Sequence, residues 1–244
     1  MNKLLLYFVA AMAFLFALSV SGETQTTEQK IRDILLGSAE VGGPPHLQQI
    51  QDIQQRDNIS DDQVRSVLIN FITNAPPRDI DLPLSRELME NAIGAVAYYG
   101  NDSVKVLLAN AIEKKQGSLR RRAIASYIRL VDYVVTGPIT NILGDAAGYD
   151  DLDRRTVYEG LTKAYQPANE GKRKELLLTL DTTIRLEKGK SNFVLLDRFL
   201  VKHEPEYAKS SDRRQMLVRH AGSKPSKSSE PDRYIDHELA GIRQ

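Results

Sequence analysis

The segment Ala92-Ile93-Gly94-Ala95-Val96-Ala97-Tyr98-Tyr99-Gly100-Asn101-Asp102 is echoed 31 residues later by Ala123-Ile124-Ala125-Ser126-Tyr127-Ile128-Arg129-Leu130. Between the copies lie Val104, Leu107, Leu108, Ala111 and Ile112, at the three- and four-residue steps that line one face of a helix. The pattern is helix, tight turn, helix, then a new start. A unit of this size cannot bury its apolar face alone, so copies must stack. The architecture this predicts is all-α: a short, irregular α-solenoid of stacked antiparallel helix pairs. No stretch alternates apolar and polar residues long enough to suggest a strand.

The amino end predicts export. Met1 to Gly22 carries Lys3 as its only charge, an unbroken apolar run from Leu4 to Leu18, and small residues at Ser19, Ser21 and Gly22. Cleavage after Ser21 or Gly22 makes the chain secreted or periplasmic. The alternative is an uncleaved N-terminal membrane anchor, since the run falls just short of the ~18 to 20 residues that span a bilayer. The chain has no Cys, which excludes a lipid attached through that residue and leaves stability to stacked helix faces rather than disulfides. Losing Lys3 makes the basic and acidic counts equal at 32 each. No global field then steers the protein to nucleic acid, and no nucleic-acid partner is expected. A membrane partner is expected only if the leader is retained.

The expected organisation is a signal peptide over 1–22, N-terminal helices with a proline-rich insertion over 23–83, helical repeats over 84–221 and a flexible polar tail over 222–244. Within the second region, Glu23 to Gln29 reads as disordered, and short amphipathic helices follow on Ile31, Ile34 and Leu35, on Leu47, Ile50 and Ile53, and on Val64, Val67, Leu68, Phe71 and Ile72. Gly42-Gly43-Pro44-Pro45 breaks the first from the second, and Ser60 caps the third. Ala75-Pro76-Pro77 to Leu82-Pro83 is expected to be non-helical, because proline lacks a donor and restricts the residue before it. The repeat helices are expected over Leu84 to Tyr99, from a Ser103 cap to Gly117, and from a Ser118 cap over Leu119 to Tyr133. A short helix over Ile139, Ile142 and Leu143, one beginning at Asp150-Asp151, and others over Glu170 to Glu187, Ser191 to Lys202 and Asp212 to His220 complete them. From Gly222 to Asp232 there is too little apolar surface to offset the ordering entropy.

Ala92 to Val96, the Gly100-Asn101-Asp102-Ser103 turn and Val104-Lys105-Val106-Leu107-Leu108 together resemble the HEAT and HEAT-like repeats of the armadillo type. Leu119-Arg120-Arg121-Arg122-Ala123-Ile124 is similar to the start of a second unit, and Leu152 to Leu161 to a weaker third. The clear likeness covers Leu84 to Leu130. It implies scaffolding or binding and brings no catalytic residues. The short helix near Ile139, the missing Gly-Asp turn after Tyr165 and the proline-rich insertion depart from the pattern.

The sequence carries little readable chemistry. Lys188-Gly189-Lys190-Ser191 ends like a phosphate loop, but Ile184 stands where the first glycine belongs and no strand precedes it. His46, His203, His220 and His237 are scattered, and neither His-Glu pair is followed by a second His at helical spacing, so no metal site is expected. Asp145, Asp150, Asp151 and Asp153 have the wrong spacing for a calcium loop, and helix capping accounts for Asp150 and Asp151. No cofactor or catalytic residue is assigned. Asn58-Ile59-Ser60 and Asn101-Asp102-Ser103 match the glycosylation sequon.

The surface signal is basic. Arg120, Arg121 and Arg122, then Arg154 and Arg155, then Lys172, Arg173 and Lys174, form a candidate binding edge, with Arg213-Arg214 as a fourth cluster. All sit near helix starts, where the dipole disfavours cations, so acidic neighbours are expected to offset them. Tyr98 and Tyr158 are candidate surface aromatics for recognition. These features suggest an exported, non-catalytic scaffold for a protein partner. Two readings stay open beside it: a polyanion-binding or enzyme-accessory module using the basic edge on an acidic polymer, and an all-α enzyme without a readable motif.

Overall fold

The computed structural model describes residues 25–37, 46–74, 81–145, 147–222 and 229–242. Among them there are thirteen α-helices and no strand, so the fold is all-α. The leader, the Gly42 to Pro45 break and the Ala75 to Pro77 segment lie outside the described residues. The chain divides into two compact units, residues 1–88 and 89–244.

In the first unit, α1 (Thr27–Gly37) packs against both α2 (His46–Asp57) and α3 (Asp61–Thr73). Ile31, Leu35, Ile50, Val64 and Leu68 are fully buried there. The helix spacing of these residues dictates that result, because each burial of a side chain this size is worth about 1.5 to 3 kcal/mol. Ser60 and Gln63 form a reciprocal capping box at the start of α3. Helix α1 starts at Thr27, inside the stretch expected to be disordered, because Thr26 and Gln29 cap it the same way.

Helix α4 (Leu82–Val96) begins two residues earlier than the prolines suggested. Asp81 accepts from the Leu84 backbone N–H, and Pro83 falls in the first turn, where a missing donor costs nothing. A 3-10 turn at Ala97–Tyr99 follows, ending at Gly100.

In the second unit, α5 (Asp102–Lys114) packs on α6 (Gly117–Leu130), and α6 packs on α8 (Asp151–Tyr165). The short α7 (Pro138–Gly144) lies against α8, while α8, α9 (Glu170–Ile184) and α10 (Lys190–His203) contact one another. The stub α11 (Pro205–Ala208) follows α10; α12 (Ser211–Ala221) pairs with α13 (Glu230–Ile242), which also contacts α10. Leu108, Ile124, Val157, Leu161, Leu180 and Leu196 form the fully buried spine of this stack. Gly160 lets α8 approach α6 closely, since a Cβ there would lie 3.3 Å from Ile128 Cγ2. Gly137 takes φ 47° before Pro138, a conformation few other residues adopt.

Several boundaries differ from expectation. Asn101 rather than Ser103 caps α5, accepting from Val104 N–H. Helix α6 begins after Gln116 rather than at a Ser118 cap, and Ser118, inside its first turn, donates its hydroxyl to Glu90. Helix α9 stops at Ile184, leaving Glu187 in the turn that follows. The largest correction is the carboxyl end: where a flexible tail was expected over 222–244, residues 230–242 form α13. Ser229 and Asp232 cap each other and Pro231 sits in the first turn, so the local start signal was present. Part of the expected tail, residues 223–228 and 243–244, lies outside the described residues.

Candidate functional site

Arg120, Arg154 and Arg213 share one geometry. Each lies in the first turn of its helix and folds back to donate to the carbonyl five residues earlier: Arg120 Nε to Lys115 O at 2.9 Å, Arg154 Nη1 to Tyr149 O at 2.8 Å, and Arg213 Nη1 to Ala208 O at 3.4 Å. Each also meets a carboxylate from another element. Arg120 pairs with buried Asp153 at 3.0 Å and stacks over the Tyr149 ring. The carbonyl and the carboxylate that each guanidinium meets offset the conflict between a cation and the helix N-terminus.

The Arg154 cluster joins α8 to the α9–α10 turn. Glu187 Oε2 accepts from the Tyr158 hydroxyl at 2.7 Å and from Arg154 Nε at 3.3 Å, while Oε1 accepts from Gly189 N–H at 2.6 Å. Asp151 is a further partner of Arg154, and Asn192 on α10 donates to the Asp151 carbonyl at 2.9 Å. The Arg213 cluster joins α10, α11, α12 and α13. Arg213 meets Asp197 in a two-point fork, both bonds 2.9 Å. Tyr207 donates to Asp197 Oδ1 at 2.7 Å and Tyr234 to Oδ2 at 2.8 Å. All four acceptor positions of Asp197 are thereby filled by protein donors.

These clusters correct two assignments. Tyr158 is not a surface aromatic: it is 0 % exposed, with its hydroxyl held by Glu187. Arg154, 5 % exposed, is not part of an open edge, because its guanidinium is used up inside. Of the other basic residues, Arg155 pairs with Glu159, Lys172 with Glu175 and Lys174 with Glu170, all along their own helices. Arg173 donates to the Tyr165 and Gln166 carbonyls and closes the end of α8. Arg121 and Arg122 have no carboxylate partner among the described residues; Arg122 lies over Gly94. Tyr98 is 52 % exposed and is covered on one face by Arg129, which also bonds its hydroxyl. The structure thus brings Tyr98, Arg122 and Arg129 together around Gly94 and does not assemble the other basic residues with them.

An open feature lies elsewhere. A groove of about 410 Å³ runs between α9 and the α10–α11 corner. Leu177 and Tyr207 line it, Leu178 stands beside them 69 % exposed, and Lys174, Asp181, Arg185, Glu204 and Glu206 form its charged rim. Arg185 is held by Asp181 and Asp212, and Lys174 by Glu170, whereas Glu204 and Glu206 have no cationic partner among the described residues. The groove was missed in the sequence because Leu178 belongs to an unbroken Leu176-Leu177-Leu178 run that reads as core. Its signal was the excess: the apolar stripe of α9 needs two of these three leucines.

No group of three or more His, Asp or Glu is placed to hold a metal ion among the described residues. Compared with protein-family models, with curated proteins and with solved structures, the chain matches none.

The buried groups set a pH profile. Burial, followed by the charge of Arg219, lowers the pKa of His220, which stacks on Phe193 at 4.2 Å. The unfolded chain therefore binds the proton more readily, and the stability from a neutral His220 is present above pH 6.5 and lost as pH falls below it. Burial raises the hydroxyl pKa of Tyr158, Tyr207 and Tyr234, with the Glu187 and Asp197 carboxylates adding to it. Their contribution is complete below pH 10.0 and lost as pH rises beyond it. Urea midpoints are expected to be flat between these limits and to fall at both ends. Tyr207→Phe should flatten the alkaline fall, and His220→Gln the acid one.

Proposed function

We propose that the chain is an exported, non-catalytic helical-repeat scaffold, and that it holds a protein partner in the groove beside Leu178. The observation that carries this reading is a leucine 69 % exposed at mid-helix, next to a groove with an apolar lining and a charged rim. Exposed apolar surface of this kind marks contact sites, and charges around it select the partner. Glu204 and Glu206 make the α11 side of the rim acidic, so the matching segment carries an apolar anchor beside Lys or Arg. The solenoid arrangement is supported by the 31-residue near-repeat and by helices that pack on their successors. Export is supported by the apolar leader. No helix among the described residues is long and apolar enough to cross a membrane.

Co-purification of the tagged full chain from the exported fraction of its host tests the reading. A stoichiometric protein partner is expected, with Leu178→Asp weakening its binding at least tenfold, or about 1.4 kcal/mol. Because the side chain is exposed, the same change is expected to move stability by no more than about 0.5 kcal/mol. A partner retained equally by Leu178→Asp would overturn this use of the groove.

A further inference from the structure

We infer that the surface formed by α10 and α12 is an exchangeable receptor for an acidic amphipathic helix, with α13 as its resident ligand. This goes beyond the Leu178 reading and uses a different pair of helices. The attachment of α13 is polar and complementary in sign. On the helix, Glu230, Asp232 and Glu238 are acidic; facing them, Arg198, Lys190 and Arg213 are basic. Tyr234 lies under the Arg198 guanidinium, 4.5 Å from its centre, and reaches Asp197 with its hydroxyl. Ile235 is the one buried residue of the helix. A helix of 13 residues is marginal by itself in water, so its order depends on this docking, and with only Ile235 fully buried beside half-buried Tyr234, Leu239 and Ile242 the docking is weak enough to reverse.

The receptor face does not need α13 to satisfy its own charges. Without it, Arg213 and Asp197 keep both bonds of their fork, Tyr207 still donates to Asp197, and Arg213 still reaches the Ala208 carbonyl. Release therefore exposes a preformed site rather than a bare buried ion. What it offers is one apolar slot for Ile235, flanked by Lys190, Arg198 and Arg213. A partner helix with an acidic residue three before its apolar anchor and another three after it, as Asp232, Ile235 and Glu238 stand here, fits the same slot.

The test uses the full chain and a fluorescein-labelled peptide of residues 229–242. Ile235→Asp removes the anchor, and hydrogen exchange over residues 230–242 reports release. The released variant is expected to bind the peptide at least tenfold more tightly than the wild-type chain, whose site is occupied. Adding Lys190→Glu and Arg198→Glu to it is expected to weaken binding at least tenfold, and rising salt to weaken it further. If Ile235→Asp disturbs the rest of the fold, Asp232→Lys with Glu238→Lys releases the helix by charge instead. Equal peptide binding by wild-type and released chains, binding indifferent to Lys190 and Arg198, or α13 protected in both release variants would overturn the inference. Leu178→Asp leaves peptide binding unchanged, so the two proposals fail separately.

Discussion

Asp197→Ala is expected to destabilise the second unit by about 3 to 5 kcal/mol, the range for leaving one member of a buried ion pair without its partner. Arg213 is 4 % exposed and Asp197 0 % exposed, so water cannot replace the lost carboxylate. Burial by itself lowers the pKa of Arg213, and the bonds to Asp197 and Glu238 outweigh it and hold the value above that of a free guanidinium. Removing Asp197 takes away the greater part of that compensation. It also strips the acceptor from the Tyr207 and Tyr234 hydroxyls, so α11 and α13 loosen together with α12. For a unit of this size the fall in Tm is roughly 6 to 20 °C. The paired change Asp197→Leu with Arg213→Met removes both charges and is expected to recover part of the loss: no buried charge is left unpaired, while the Tyr207 and Tyr234 hydroxyls still lack their acceptor. Thermal unfolding of the two variants side by side checks this. A loss below about 1 kcal/mol for Asp197→Ala would mean that the pair behaves as a surface contact.

The helices were legible where the apolar spacing was strong, as with Ala92 to Val96, Val104 to Ile112 and Leu176 to Ile184, since burial of such a stripe decides the local conformation. Helix α13 was not. The polar stretch from Gly222 to Asp232 in front of it masked the apolar positions Tyr234, Ile235, Leu239 and Ile242, and its docking uses cations on α10 and α12 that are distant in sequence, while the Ser229–Asp232 cap was local. The basic clusters were visible as charge but not as direction. In Arg154-Arg155 and Arg213-Arg214 the first residue turns inward to a carboxylate and the second stays exposed. A usable signal was the placement of cations at helix starts, where the dipole opposes them unless a tertiary partner compensates. Tyr158, one turn beyond Arg154, follows the same logic: it serves Glu187, 29 residues on, a pairing that only the packing of α8 against the next helices creates.

Glu187→Ala is the second substitution expected to have a large effect, at about 2 to 4 kcal/mol. The cost is lower than for Asp197 because Arg154 keeps its bonds to the Tyr149 carbonyl and to Asp151, so only part of its charge is orphaned. The Tyr158 hydroxyl loses its acceptor in a site with no exposure, and Gly189 N–H loses the bond that shapes the entry to α10. Glu187→Gln separates charge from hydrogen bonding: the amide oxygen can still accept from Tyr158, and the expected loss is about half that of alanine. Arg154→Ala leaves Glu187 with two donors, and its combination with Glu187→Ala is expected to show a coupling of about 0.5 to 3 kcal/mol in urea unfolding. The cycle also reports on Tyr158. With Glu187 gone, burial and the Asp151 charge hold the hydroxyl pKa up less far, so the alkaline fall in stability should begin at the same pH with the same slope but end at a lower pH, with a smaller total loss. A total alkaline loss unchanged in Glu187→Ala would mean that the carboxylate does not act on Tyr158, whatever the effect on overall stability.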